Sequence, residues 1–62
     1  MDAKQAHGML TFHQRAARAY EALAQDKSLP KKERVRCQEN AQSAQMRAAE
    51  CQAILQVARM GG

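Results

Sequence analysis

Apolar residues recur along this chain at spacings of three and four, the period of an amphipathic helix, so the pattern predicts helices. With Arg34 at heptad position a, the second half places Ala41, Ala48 and Leu55 at a. Cys37, Ala44, Cys51 and Ala58 fall at d. This seam is built almost wholly from Ala and Cys, whose small side chains let two backbones approach closely. In the first half, Met9, Ala16 and Leu23 occupy a, and Phe12 and Ala19 occupy d. His13 and Tyr20 follow at e, and Leu10, Ala17 and Ala24 at b. That arc of about 160° is wider than one partner helix covers. Met46, Ala49, Ala53, Val57 and Met60 lie largely outside the seam of the second half. Both helices therefore carry apolar surface to spare, which reads as a second interface.

The only proline, Pro30, and the polar run before it divide the chain. Ser28 is a good N-cap, and Pro30 then falls in the first turn, where its missing N–H costs nothing. Helix 2 is expected from about Leu29 to Met60, ended by Gly61-Gly62. At ~1.5 Å per residue it forms a rod of roughly 45 Å. Helix 1 is expected from about Ala3 to Gln25, opened by an Asp2/Gln5 capping pattern. Gly8 weakens it by ~1 kcal/mol relative to Ala. Thr11 with Gln14 offers an alternative start that would leave the first ten residues loose. The turn, 26–29, is short, so the helices fold back antiparallel.

If the hairpin closes near Ser28, Tyr20 and Ala19 lie level with Cys37. Ala16 meets Ala41, Phe12 meets Ala44, Met9 meets Ala48, and Ala6 meets Cys51. Large residues then alternate with small ones across the seam. The expectation is an all-α fold. It consists of one antiparallel two-helix hairpin over residues 1–62, with an Ala-rich seam, dimerising into a four-helix bundle.

Composition supports association. Of 62 residues, 13 are Ala, and Leu, Ile, Val and Phe together number eight. So few large side chains cannot build a sizeable core alone, which argues against a free-standing enzyme or an internal ligand cavity. A net charge of +4 and a single Pro oppose disorder. No stretch approaches the ~20 apolar residues of a membrane span. The N-terminus carries no charged-then-apolar signal pattern, so a cytoplasmic location is the expectation.

Catalytic, cofactor and metal sites are all expected to be absent. Cys37 and Cys51 lie 14 residues apart on one face, about 21 Å along the axis, too far for an intrachain disulfide. They read as small buried hydrophobes; a crossed pair between subunits is the alternative. His7 and His13 point about 120° apart on a helix, so zinc would need ligands from another subunit. Asp2, Glu21, Asp26, Glu33, Glu39 and Glu50 are scattered and form no Glu-x-x-His pair.

Charge has one functional leaning. Lys27, Lys31, Lys32, Arg34 and Arg36 crowd the start of helix 2, where the macrodipole disfavours cations. This basic tip suits a partner's carboxylates or a phosphate, or serves as a solubilising end. Gln38, Gln45 and Gln52 repeat at e, uncharged flanks able to hydrogen-bond across an interface.

An αα-hairpin of this length, with cysteines at two d positions of helix 2, Cys37 and Cys51, resembles the Rop-type plasmid regulators. That resemblance implies a homodimeric four-helix bundle that binds paired RNA loops through polar and aromatic residues of helix 1. Here the exposed half of helix 1 is Ala-rich and the basic cluster lies at the turn, so no RNA-contact residue carries over.

The expected function is that of a small protein–protein interaction module, a regulator, adaptor or inhibitor acting by binding. Its composition fits an accessory protein of a bacterium, plasmid or phage. Its partners are a second copy of itself and another protein, with no membrane and no small-molecule substrate. The alternative is a dimeric nucleic-acid-binding regulator using the basic turn. The apolar surfaces for self-association or partner binding are Met9, Leu10, Phe12, Ala16, Tyr20 and Leu23 on helix 1. On helix 2 they are Cys37, Ala41, Ala44, Met46, Ala48, Cys51 and Leu55.

Overall fold

The computed structural model describes residues 2–61. Two helices, α1 (Ala3–Ala24) and α2 (Lys31–Gly61), pack along one another through the connection 25–30. Gly62, expected to help end the second helix, lies outside the described residues. The hairpin is a rod with Cα extents of 48 × 13 × 13 Å. The buried residues between the helices are small, Ala6, Ala17, Ala41, Ala44, Ala48 and Cys51 beside His13, and small side chains permit close approach of two helices.

Asp2 starts α1 with a reciprocal capping box. Its carboxylate accepts the Gln5 N–H at 2.8 Å, and the Gln5 side chain accepts the Asp2 N–H at 3.4 Å. Two first-turn donors are thereby satisfied. Thr11 does not open a helix of its own. It lies inside α1, its hydroxyl donating to the His7 carbonyl at 3.2 Å.

The connection differs from the expected one. Ser28 does not cap α2; its N–H and its hydroxyl both donate to one Asp26 carboxylate oxygen, at 2.9 and 2.6 Å. Asp26 thus nucleates a local turn, which the Leu29 N–H closes onto the Asp26 carbonyl. The Gln25 and Asp26 N–H groups return to Ala22 and Leu23. The chain therefore keeps climbing beyond α1 before it reverses. Pro30 stands just outside α2, its carbonyl accepting the Arg34 N–H.

This climb changes the pairing. On α1 the inward residues are Ala6, Leu10, His13, Ala17, Tyr20 and Ala24, all buried or half-buried. On α2 they are Arg34, Cys37, Ala41, Ala44, Ala48, Cys51 and Leu55. The α2 seam is the one its heptads predict as far as Leu55; Ala58, the last expected d residue, is exposed because the contact with α1 ends before it. The α1 seam is rotated by one residue, about 100°, from the expected Met9/Phe12/Ala16/Ala19/Leu23 stripe. Phe12 is 63% exposed, and Met9 and Leu23 are each 40% exposed. Across the hairpin, Leu10 shares a groove with Gln52 and Leu55, Ala17 with Ala48, and Ala24 with Ala41, while Glu21 meets Gln45. The expected pairing set Ala16 against Ala41 and Ala6 against Cys51, so each level of α1 faces residues nearer the C-terminus of α2 than expected.

Two substitutions test this packing. A Cβ added at Gly8 meets nothing within 4 Å, and its φ is not positive. Gly8→Ala should therefore stabilise by ~1 kcal/mol, a rise in Tm of about 4–8 °C at fixed protein concentration. Ala44→Leu, at a buried seam position of α2, should overpack the helix contact and cost ~1–3 kcal/mol in urea unfolding. Unchanged stability in that variant would mean that the helices have room to spare there.

Candidate interaction surfaces

Most large apolar side chains outside the seam are exposed, Met9, Phe12 and Leu23 on α1 and Val35, Met46, Ile54, Val57 and Met60 on α2. On α1 the outer stripe of Met9, Phe12, Ala16, Ala19 and Leu23 is itself a heptad seam, one residue out of phase with the buried one. Ala16 is half-buried and Ala19 exposed. The Phe12 ring lies edge-on to His13, with centroids 5.4 Å apart and an interplanar angle of 74°. Ile54 of α2 falls on the same flank of the hairpin as Met9 by heptad position, which extends the apolar surface across the helix boundary.

The opposite flank is polar. The Gln45 amide donates to the Glu21 carboxylate across the hairpin. A shallow groove of about 290 Å³ runs beside it, lined by Gln14, Arg18, Glu21, Gln45 and Gln52 over an Ala floor. Toward the open end, a second groove of about 630 Å³ is lined by Ala3, His7, Leu10, Gln52, Leu55, Gln56, Ala58 and Arg59. Gln45 and Gln52, read from the sequence as flanks for a partner, thus border α1 of the same chain.

The predicted binding residues separate into three environments. Ala41, Ala44, Ala48 and Cys51 are buried between α1 and α2. Leu10, Tyr20, Cys37 and Leu55 are half-buried at the edges of that seam. Met9, Phe12, Leu23 and Met46 stand outside it, Met46 alone on the outer face of α2 with 66% exposure. Both cysteines are free thiols. Among the described residues, no three His, Cys, Asp or Glu side chains converge as metal ligands would. No helix among them is long and apolar enough to cross a membrane.

The basic tip is mostly displayed. Lys27, Lys31, Lys32 and Arg36 are exposed. Arg34 differs: it holds the first position of the α2 seam, half-buried, with its Nε shielded and unpartnered. Its stem belongs to the packing of the hairpin end. Beside it, the two Ser28 bonds, hydroxyl first and N–H second, hold the exposed Asp26 carboxyl below its ordinary pKa of 3.8. A carboxylate whose folded pKa is lowered stabilises the turn at neutral pH. That contribution fades as pH falls through the lowered value.

Compared with family models, curated proteins and solved structures, the chain has no significant match.

Lys31 and Lys32 face the unfavourable end of the α2 dipole without a carboxylate bonded to them. Replacing either with Glu should raise stability by ~0.3–1 kcal/mol in low salt. The gain should shrink in melts at high ionic strength.

Proposed function

We propose that this chain is a small helical protein–protein interaction module. It acts by binding and not by catalysis, and its apolar surface is completed by self-association and by a protein partner. One observation carries this reading: the hairpin buries the wrong residues for a free-standing domain. Its core is Ala6, Ala17, Ala41, Ala44, Ala48 and Cys51, with His13, and among the described residues no large side chain is fully buried. Phe12, Met46, Val57 and Met60 meanwhile stand more than half exposed. Fully burying a Leu, Val, Phe or Met is worth ~1.5–3 kcal/mol, so these positions are stabilised only when something covers them. A module of this kind regulates, adapts or inhibits through the surface it presents. The exposed lysines of the tip offer a partner's carboxylates cationic contacts that steer association.

The experiment is thermal unfolding followed over a hundredfold range of protein concentration, together with mass by light scattering. The expected result is a mass above 6.9 kDa and a Tm that rises with concentration. A 6.9 kDa species with a cooperative, concentration-independent transition would overturn the reading.

A further inference from the structure

The outer stripe of α1 differs from the other exposed apolar residues by being continuous. Met9, Phe12, Ala16, Ala19 and Leu23 follow the four–three alternation of a helix seam over about 21 Å of one helix. Met46 and Met60 on α2 do not join it. Area then sets the scale of what is missing. A compact chain of 6.9 kDa exposes about 4,000 Å², whereas this one exposes 5048 Å². A compact body of twice the mass exposes roughly 6,600 Å². Two hairpins that reach ordinary compactness would therefore bury about 3,500 Å² between them, within the range of obligate dimers.

Resting on the self-associating reading above, we propose that a second copy of this chain covers this stripe, with the two α1 helices antiparallel across a two-fold axis between Ala16 and Ala19. Two features of the chain select that arrangement. The first is shape. About such an axis, Ala16 meets the partner subunit's Ala19 in a close crossing. Phe12 lies against the partner subunit's Leu23 at either end. A parallel pair would stack Phe12 on its own copy.

The second feature is charge. In an antiparallel pair the two basic tips sit at opposite ends, roughly 35 Å apart, well beyond the Debye length of ~8 Å. A parallel pair would set Lys27, Lys31, Lys32 and Arg36 beside their copies at about one helix diameter. The antiparallel dimer is a four-helix bundle whose central pair is α1 with α1.

The test uses the full chain. Phe12→Asp and Ala19→Glu, both at exposed positions, should raise the dimer dissociation constant at least 100-fold in sedimentation equilibrium. Met46→Asp, on the outer face of α2, should leave it within about threefold. Because an isolated hairpin can lose helicity, orientation is read separately in stable dimers. With a short bis-maleimide, Ala19→Cys should cross-link to its own copy above the parent's background, and Gln5→Cys should not. Efficient cross-linking at Gln5→Cys would mean a parallel pair and overturn the proposal. So would a dimer that survives Phe12→Asp, or one in which neither position cross-links. In each of those cases self-association stands and only the face or the orientation fails. A monomeric parent chain would remove both.

Discussion

The close approach of two backbones over alanine determines most of what this molecule shows. Ala6, Ala17, Ala41, Ala44 and Ala48 are the buried alanines of the contact, and side chains this small let helices pack closely. Such a contact gains from dispersion over a long, even surface, but each alanine removes little apolar area from water. Stability is therefore thin for the number of residues ordered, and the larger side chains must be placed elsewhere. They are either half-buried at the seam edge, as Leu10, Tyr20 and Leu55 are, or outside it, as Phe12 and Met9 are. A small-residue interior and an exposed apolar surface thus arise from one packing choice.

The connection fixes how that choice is read out along the rod. Asp26 captures Ser28 and Leu29 in a local turn, so the chain rises past Ala24 before it reverses. The extra height leaves the first turn of α2 projecting at the tip, where Lys31 and Lys32 find solvent. Arg34 is the exception, since its position on the seam draws its stem under the connection. The cluster read as five equivalent cations is four displayed ones and one that belongs to the packing.

Some of this was legible in the sequence and some was not, for physical reasons. Asp2 and Gln5 state a capping box that needs nothing beyond the first turn, and the structure contains it. The α2 seam was legible because Ala, Cys and Leu55 recur without a competing stripe. On α1 two stripes stand about 100° apart, and each alternates correctly. Leu10 and Tyr20 make one as suitable as Met9 and Phe12 make the other, so periodicity alone has two solutions. The connection decides between them, and its geometry hangs on whether Ser28 bonds forward to an N–H of the next helix or back to Asp26. Both are ordinary uses of a serine hydroxyl. The backward bond wins here because Asp26 can accept from the Ser28 N–H and hydroxyl at once.

The same ambiguity has a functional side. A helix that needs to meet only one neighbour has no use for two heptad stripes, and α1 keeps both. The inner stripe is mixed, with His13 and Tyr20 whose polar ends suit a position near the edge. The outer stripe is apolar at every one of its five positions, yet the hairpin covers it only in part and leaves Phe12 63% exposed. Exposed Phe and Met side chains are expensive on a surface unless they are covered in use. On α2 the outer apolar residues are interrupted by Arg47, Glu50 and Arg59, the pattern of a solvated back face. The two helices therefore differ in what they present: α2 supplies the smooth track on which the hairpin closes, and α1 carries a second apolar stripe on its outer side.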